Sequence, residues 1–215
     1  MSISSATLYH SPSSPNSRRI RIFLAEKGIN LAQRVVDLVK GEQHSDAYQA
    51  INPRRVVPTL VLQDGTAIGE VPVISRYVEE VMPQIPLFGT TPEERALTAM
   101  WERRVEQEGF AAVMEGVRNA VPGLKGRAIA GPHDYEQIPE LVGRSKLRVQ
   151  NLFADLEIRL QTTAFIAGDK FSVADITALV TVDFAASAID LPLPDEFTAL
   201  KRWYDAVSKR PGAVA

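Results

Sequence analysis

Two hydrophobic periods divide this chain and barely overlap, which restricts it to a mixed unit followed by a helical one. Ala6–Tyr9 is a short apolar run closed by a Ser/Pro cluster, the pattern of a strand and then a loop. Ser17–Gly28 carries Ile20, Phe23 and Leu24 on one face and stops at a glycine, as a helix does. Gln33–Leu38 suits a second strand, and Asp46–Ile51 a short helix halted before Asn52-Pro53. Thr59–Leu62 and Thr66–Ile68 flank Asp64-Gly65, a strong hairpin signal. Val71–Val81 closes the series as a helix, giving the order β-α-β-α-β-β-α.

Val81 to Thr91, with Pro83 and Pro86, has little periodicity and reads as a linker. Thr91-Pro92-Glu93-Glu94 is then a helix start, with a capping residue, a proline and acids in the first turn. Leu97, Met100 and Trp101 make an apolar stripe that Phe110, Val113, Met114 and Val117 continue. Val149, Leu152, Phe153, Leu156 and Leu160 repeat the spacing in a second long helix. Strand signals are weak in this half. The expected class is α+β, with a mixed N-terminal domain over 1–82, a linker over 83–91 and an all-α bundle over 92–215.

Composition removes several functions. The formal net charge is -2, so nothing draws the chain toward nucleic acid or an anionic membrane. No run approaches the ~18 apolar residues of a membrane span. Met1–Leu8 lacks a basic and then apolar leader, so no secretory signal is expected and a cytoplasmic, reducing location is the default. Without cysteine there are no disulfides, thiolate metal sites or cysteine nucleophile. His10, His44 and His133 lie far apart, with no ligand spacing, so no metal is expected.

Three segments carry a family likeness. Asn52-Pro53-Arg54-Arg55-Val56-Val57-Pro58-Thr59-Leu60, followed by Asp64-Gly65-Thr66 and Ile74-Ser75-Arg76-Tyr77, resembles the core of the glutathione transferase N-terminal domain. Ala167-Gly168-Asp169-Lys170-Phe171-Ser172-Val173-Ala174-Asp175-Ile176 is similar to a helix start in that family's C-terminal domain. Ser17 to Gly28, with its Ala25-Glu26-Lys27, and Lys40-Gly41-Glu42 resemble bacterial and fungal members. The resemblance implies a thioredoxin-like N-terminal domain before a helical bundle. It implies glutathione as co-substrate, a small hydrophobic electrophile as second substrate, and a detoxifying homodimer.

Such chemistry needs an ionised thiol. A free thiol has a pKa near 8.5, and lowering it by about two units takes roughly 2.7 kcal/mol. A hydroxyl hydrogen bond to the anion supplies about 1.5–3 kcal/mol and a helix N-terminus about 0.3–1 kcal/mol. By resemblance Ser14 is the thiolate stabiliser of serine-type members. Ser13 takes its place if the register is set on Pro15, and Asn16 is the rival, because disulfide reductases of the family carry Thr-Pro-Asn there. Ser17 reads as the helix cap, and Tyr9 as mainly structural. The resemblance further assigns Val57 and a cis Pro58 to the cysteinyl backbone of glutathione, and Glu70 with the Val71 N–H to its γ-glutamyl end. A family hydroxyl is missing at Val71. Gln43 and His44, with Lys40 near, fall where the glycyl carboxylate is bound. Arg54 and Arg55 read as exposed charges, one of which could reach that carboxylate. Met114, Arg118 and Asn119 are expected to wall the second-substrate pocket. Ser172 and Asp175 read as a structural capping box.

Overall fold

The computed structural model describes residues 3–215. Met1 and Ser2, where the expected first domain and the segment read for a leader begin, lie outside the described residues. The chain divides into two compact units. One comprises the described residues through Pro86 with Ala130–His133 and Ala215, and the other Leu87–Ile129 with Asp134–Val214.

The first unit alternates strand and helix: β1 (Thr7–His10), α1 (Pro15–Glu26), β2 (Ala32–Val35), α2 (Asp46–Gln49), β3 (Thr59–Val61), β4 (Ala67–Ile68) and α3 (Val71–Val81). The sheet order is β2-β1-β3-β4. β1 runs parallel to β2 and antiparallel to β3, and β3 pairs antiparallel with β4. The hairpin turns at Gly65, whose φ of 87° suits a residue without Cβ, and Asp64 Oδ1 accepts from the Thr66 N–H at 2.9 Å. Leu8, Ile20, Phe23, Leu60, Ile74 and Val78 form the buried interior, where α1 packs on α3.

α1 begins two residues earlier than its hydrophobic pattern suggested. The cap is Ser14, whose Oγ accepts from the Ser17 N–H at 3.2 Å, and Pro15 takes the first helical position. Ser17 is therefore not the cap: its Oγ is fully buried and accepts from the Ser11 N–H instead. At the other end of α1 the Lys27 side chain has no exposed surface. Its ammonium meets Glu79 of α3 at 2.7 Å and the carbonyls of Gln84 and Ile85 at 2.9 and 3.1 Å.

The second unit is helical: α4 (Pro92–Arg104), a π-helical stretch (Val105–Phe110), α5 (Ala111–Ala120), α6 (Glu140–Leu160), α7 (Val173–Ile189) and α8 (Thr198–Val207). Thr91 caps α4, accepting from the Glu94 N–H at 3.1 Å. α7 is apolar all round and buried over most of its length, so it serves as the axis on which α4, α5 and α8 pack. At its start Asp175 accepts from the Ser172 N–H and Oγ, both at 2.9 Å, from the Ile166 N–H at 3.0 Å and from Trp203 Nε1 at 2.8 Å. The capping box is structural. No described helix is long and apolar enough to cross a membrane.

The stripe expected along α4 and α5 breaks. Leu97 and Met100 are 49% and 46% exposed, whereas Thr98 and Glu102 are buried on the opposite side. The π-helical stretch explains this. Its i→i+5 bonding widens each turn and advances each residue through a smaller angle than an α-helix does. The face continued by Phe110 and Val113, both buried, is therefore rotated away from the face that Leu97 and Met100 occupy.

Candidate functional site

Strand register brings the candidate residues of the first unit to one edge of the sheet. Tyr9 pairs with Thr59 in an antiparallel register, so Ser11, two residues after Tyr9, and Val57, two residues before Thr59, lie at the same end of the sheet. Ile68 pairs with Leu60, so the chain leaving β4 delivers Glu70 and the start of α3 to that edge. β2 runs parallel to β1, so the segment leading to Gln43 and His44 departs from it as well. The loop before α1, the turn before β3 and the N-terminus of α3 thus converge.

Ser14 is buried, and its oxygen serves α1 as an acceptor. A hydroxyl has one donor and two acceptor positions, so the Ser14 O–H proton remains for a ligand. Asn16 accepts from Arg19 through Oδ1 at 3.2 Å, while its Nδ2 and backbone N–H have no protein acceptor among the described residues. Pro15 lacks an N–H, and the Ser17 and Arg18 N–H groups are held by Ser14. The donors left at this helix start are therefore Ser14 O–H and the two groups of Asn16, all in the positive field of α1. Ser13 is exposed and its Oγ lies 3.3 Å from Ser11 Oγ. Tyr9 packs its ring on Tyr48, with centroids 6.1 Å apart, beside Val36 and Val57. Behind the loop, Arg21 donates to the Ser11 carbonyl at 3.3 Å and lies 3.4 Å from His10 Nδ1. Burial, and then the Arg21 charge, hold the His10 pKa below its ordinary value, which favours the neutral ring.

Val57-Pro58 is cis. Val57 is buried, yet neither its N–H nor its carbonyl has a hydrogen-bond partner among the described residues. Buried backbone groups are almost always paired, so the open N–H and carbonyl of Val57 mark this edge as a candidate site. The turn before it is tied by Asn52, whose Oδ1 accepts from the Arg54 N–H and whose Nδ2 donates to the Val56 carbonyl and Thr59 Oγ1. Arg54 is exposed, but Arg55 corrects the reading of both arginines as surface charges. Arg55 is half-buried, holds φ at 56° and keeps a buried Nε with no partner. A left-handed conformation costs an ordinary L-residue about 1–2 kcal/mol, so its retention beside the Val57 edge marks a constrained position. Gln43, in the turn Glu42–His44, also buries an unpartnered Oε1, while His44 is exposed. Glu70 is exposed with φ 63°, and Val71 is buried. Pro72 has no N–H and the Val73 N–H bonds the Glu70 carbonyl, so the Val71 N–H is the donor left in this turn.

In the helical unit, Met114 and Arg118 lie one turn apart on α5, both half-buried. Asn119 is buried and engaged at both ends: Nδ2 donates to the Glu115 carbonyl at 2.8 Å and Oδ1 accepts from the Ile138 N–H at 2.7 Å. Its amide holds the connection between α5 and α6 in place.

Comparison with known proteins agrees with this geometry. Residues 8–86 match the family described as "Glutathione S-transferase, N-terminal domain" and residues 125–211 that of "Glutathione S-transferase, C-terminal domain". The chain is 33% identical over 207 residues to glutathione S-transferase 2 of Saccharomyces cerevisiae, covering 95% of this chain and 86% of that protein. It is 28% identical over 212 residues to a disulfide-bond oxidoreductase of Escherichia coli K12, covering 95% and 90%. Among solved structures, a glutathione S-transferase domain-containing protein of Marinobacter aquaeolei superposes with a TM-score of 0.88 at 34% identity, covering 96% of this chain and 99% of that one. The converging edge of the first unit, the helical second unit and these matches agree, and the chain belongs to the glutathione S-transferase family.

Proposed function

We propose that this protein conjugates the glutathione thiolate to small hydrophobic electrophiles. The observation that carries the reading is Ser14 at the start of α1, which caps the helix with its oxygen and keeps its proton free. An O–H donor in a helix-start field supplies about the 2.7 kcal/mol that a two-unit fall in thiol pKa requires. Val57 supports it by offering an unpaired N–H and carbonyl to the cysteinyl backbone. Val71 N–H and the Glu70 carboxylate would take the carboxylate and ammonium of the γ-glutamyl end. Gln43, His44 and Arg55 would take the glycyl carboxylate. Met114 and Arg118 would border the second substrate, while Asn119, its amide engaged at both ends, would hold the α5–α6 connection rather than touch it. The enzyme would act as a cytoplasmic homodimer. Catalysis then consists of thiolate stabilisation and proximity, with no covalent enzyme intermediate.

The test is a thiolate absorbance titration of bound glutathione. The wild type should hold the thiol well below 8.5, and Ser14→Ala should return it upward by about one unit or more, the equivalent of one charge-assisted hydrogen bond. An unchanged mutant removes Ser14 from the role. Absence of glutathione binding in the wild type removes the enzyme reading and leaves a binding protein on the same fold. A second reading, a glutathione-dependent disulfide reductase, is favoured by the unpartnered Asn16 Nδ2 beside a locked Oδ1. It requires Asn16→Ala, rather than Ser14→Ala, to abolish reduction of a mixed disulfide.

A further inference from the structure

Arg118 sits at the end of α5 in a setting its protein contacts do not account for. One terminal nitrogen, Nη1, donates to the Arg127 carbonyl at 2.7 Å. Nε is buried with no partner. Arg127, in the connection 121–139 that follows α5, in turn donates to the Gly123 carbonyl at 2.7 Å. That connection is held from both sides. Gln137 Nε2 donates to the carbonyls of Arg118 and Val121, both at 2.8 Å, and Asn119 fixes Ile138.

The charge balance is what needs explaining. Burial and then the neighbouring Arg127 both act against the Arg118 cation. Among the described residues neither guanidinium has a carboxylate within ion-pair distance, although Arg144 and Arg148 on α6 share Glu115 nearby in sequence. A partly buried guanidinium beside a like charge and without a counter-ion is costly, and a structural cap would need no second arginine. An anion on the open side removes the cost, and a planar carboxylate matches the guanidinium fork.

We propose that Arg118 and Arg127 form a carboxylate site on the helical unit that selects electrophiles bearing an anionic group. The proposal rests on the reading that Arg118 borders the second substrate. It adds a class to that substrate: an apolar body with an acid at one end.

The experiment compares 4-chloro-3-nitrobenzoate with its methyl ester as electrophiles for glutathione. In either, the thiolate forms a C–S bond at the chlorinated carbon, the C–Cl bond breaks, chloride leaves, and the thiol proton has gone to solvent. The readout is the ratio of kcat/KM for acid over ester. Arg118→Met should lower that ratio by about tenfold or more, through KM of the acid, and Arg118→Lys by less. Arg127→Gln keeps the backbone carbonyl that Arg118 uses and should lower the ratio in the same direction, which guards against a folding defect in the first variant. An unchanged ratio in the folded Arg118 and Arg127 variants overturns the proposal. Calorimetric binding of 3-nitrobenzoate without glutathione separates the two readings. If the wild type turns over neither electrophile but binds nitrobenzoate about tenfold more tightly than Arg118→Met, the transferase reading falls and the anion site stands. If neither turnover nor Arg118-dependent binding is seen, both fall.

Discussion

At Ser14 the helix cap and the candidate thiolate donor are the same oxygen, so one substitution acts on stability and on chemistry together. Loss of the cap costs about 1 kcal/mol, which is why the thiol titration rather than turnover isolates the chemical role. Glu94 offers a residue-scale effect free of catalysis. Its carboxylate accepts from Thr90 Oγ1 and N–H at 2.6 and 2.7 Å and meets Lys170 at 2.9 Å. The Thr90 hydroxyl first, then its N–H, then Lys170 draw the Glu94 pKa from 4.5 to about 2. A depressed carboxylate stabilises the fold above its unfolded pKa, and that stabilisation is lost as pH falls through the folded one. The Tm gap between wild type and Glu94→Gln should therefore be constant above pH 4.5 and close between there and about 2. A gap that does not narrow would assign the network no ionic part. Other residue-scale features were hidden from the sequence. Nothing in the letters Arg55 or Glu70 announces a left-handed backbone, because both are ordinary L-residues whose dihedrals are imposed by the turn and the helix start around them.

Among the elements, the π-helical stretch is the feature with the sharpest consequence. Gly109 lies within it, and a Cβ there would stand 2.3 Å from Leu152 Cδ2 of α6 and 3.0 Å from Thr181 Cγ2 of α7. Gly109→Ala should destabilise the protein by about 1–3 kcal/mol, measured by urea unfolding, because the contacts come from two packed helices. A neutral result would mean that α6 yields at Leu152. The same stretch shows why elements differed in legibility. α3 was readable to its last residue, since its apolar period runs unbroken from Val71 to Val81. The α4–α5 stripe misled because a 3.6-residue period was carried across turns of another width. α1 started early because Ser14 and Pro15, a cap and a first-turn residue, lie among serines that read as loop.

For the whole molecule, the misread stripe becomes an asset. Leu97 and Met100 expose apolar surface one turn apart on α4, and paired large exposed apolars on one helix face suit a self-complementary contact. Light scattering should give twice the chain mass of 23.6 kDa for the wild type and the single mass for a Leu97→Glu, Met100→Glu double variant. A wild type of single mass sinks the homodimer, and a double variant that stays paired moves the contact elsewhere. The broad organisation was legible because periodicity survives in sequence, whereas the edge at Val57 became visible through what its backbone fails to bond. Lys27 closes the point from the opposite direction. With its ammonium enclosed by Glu79 and two carbonyls, it is a lysine stripped of lysine's usual reactivity: no acylating reagent or modifying enzyme can reach its nitrogen while the fold is intact.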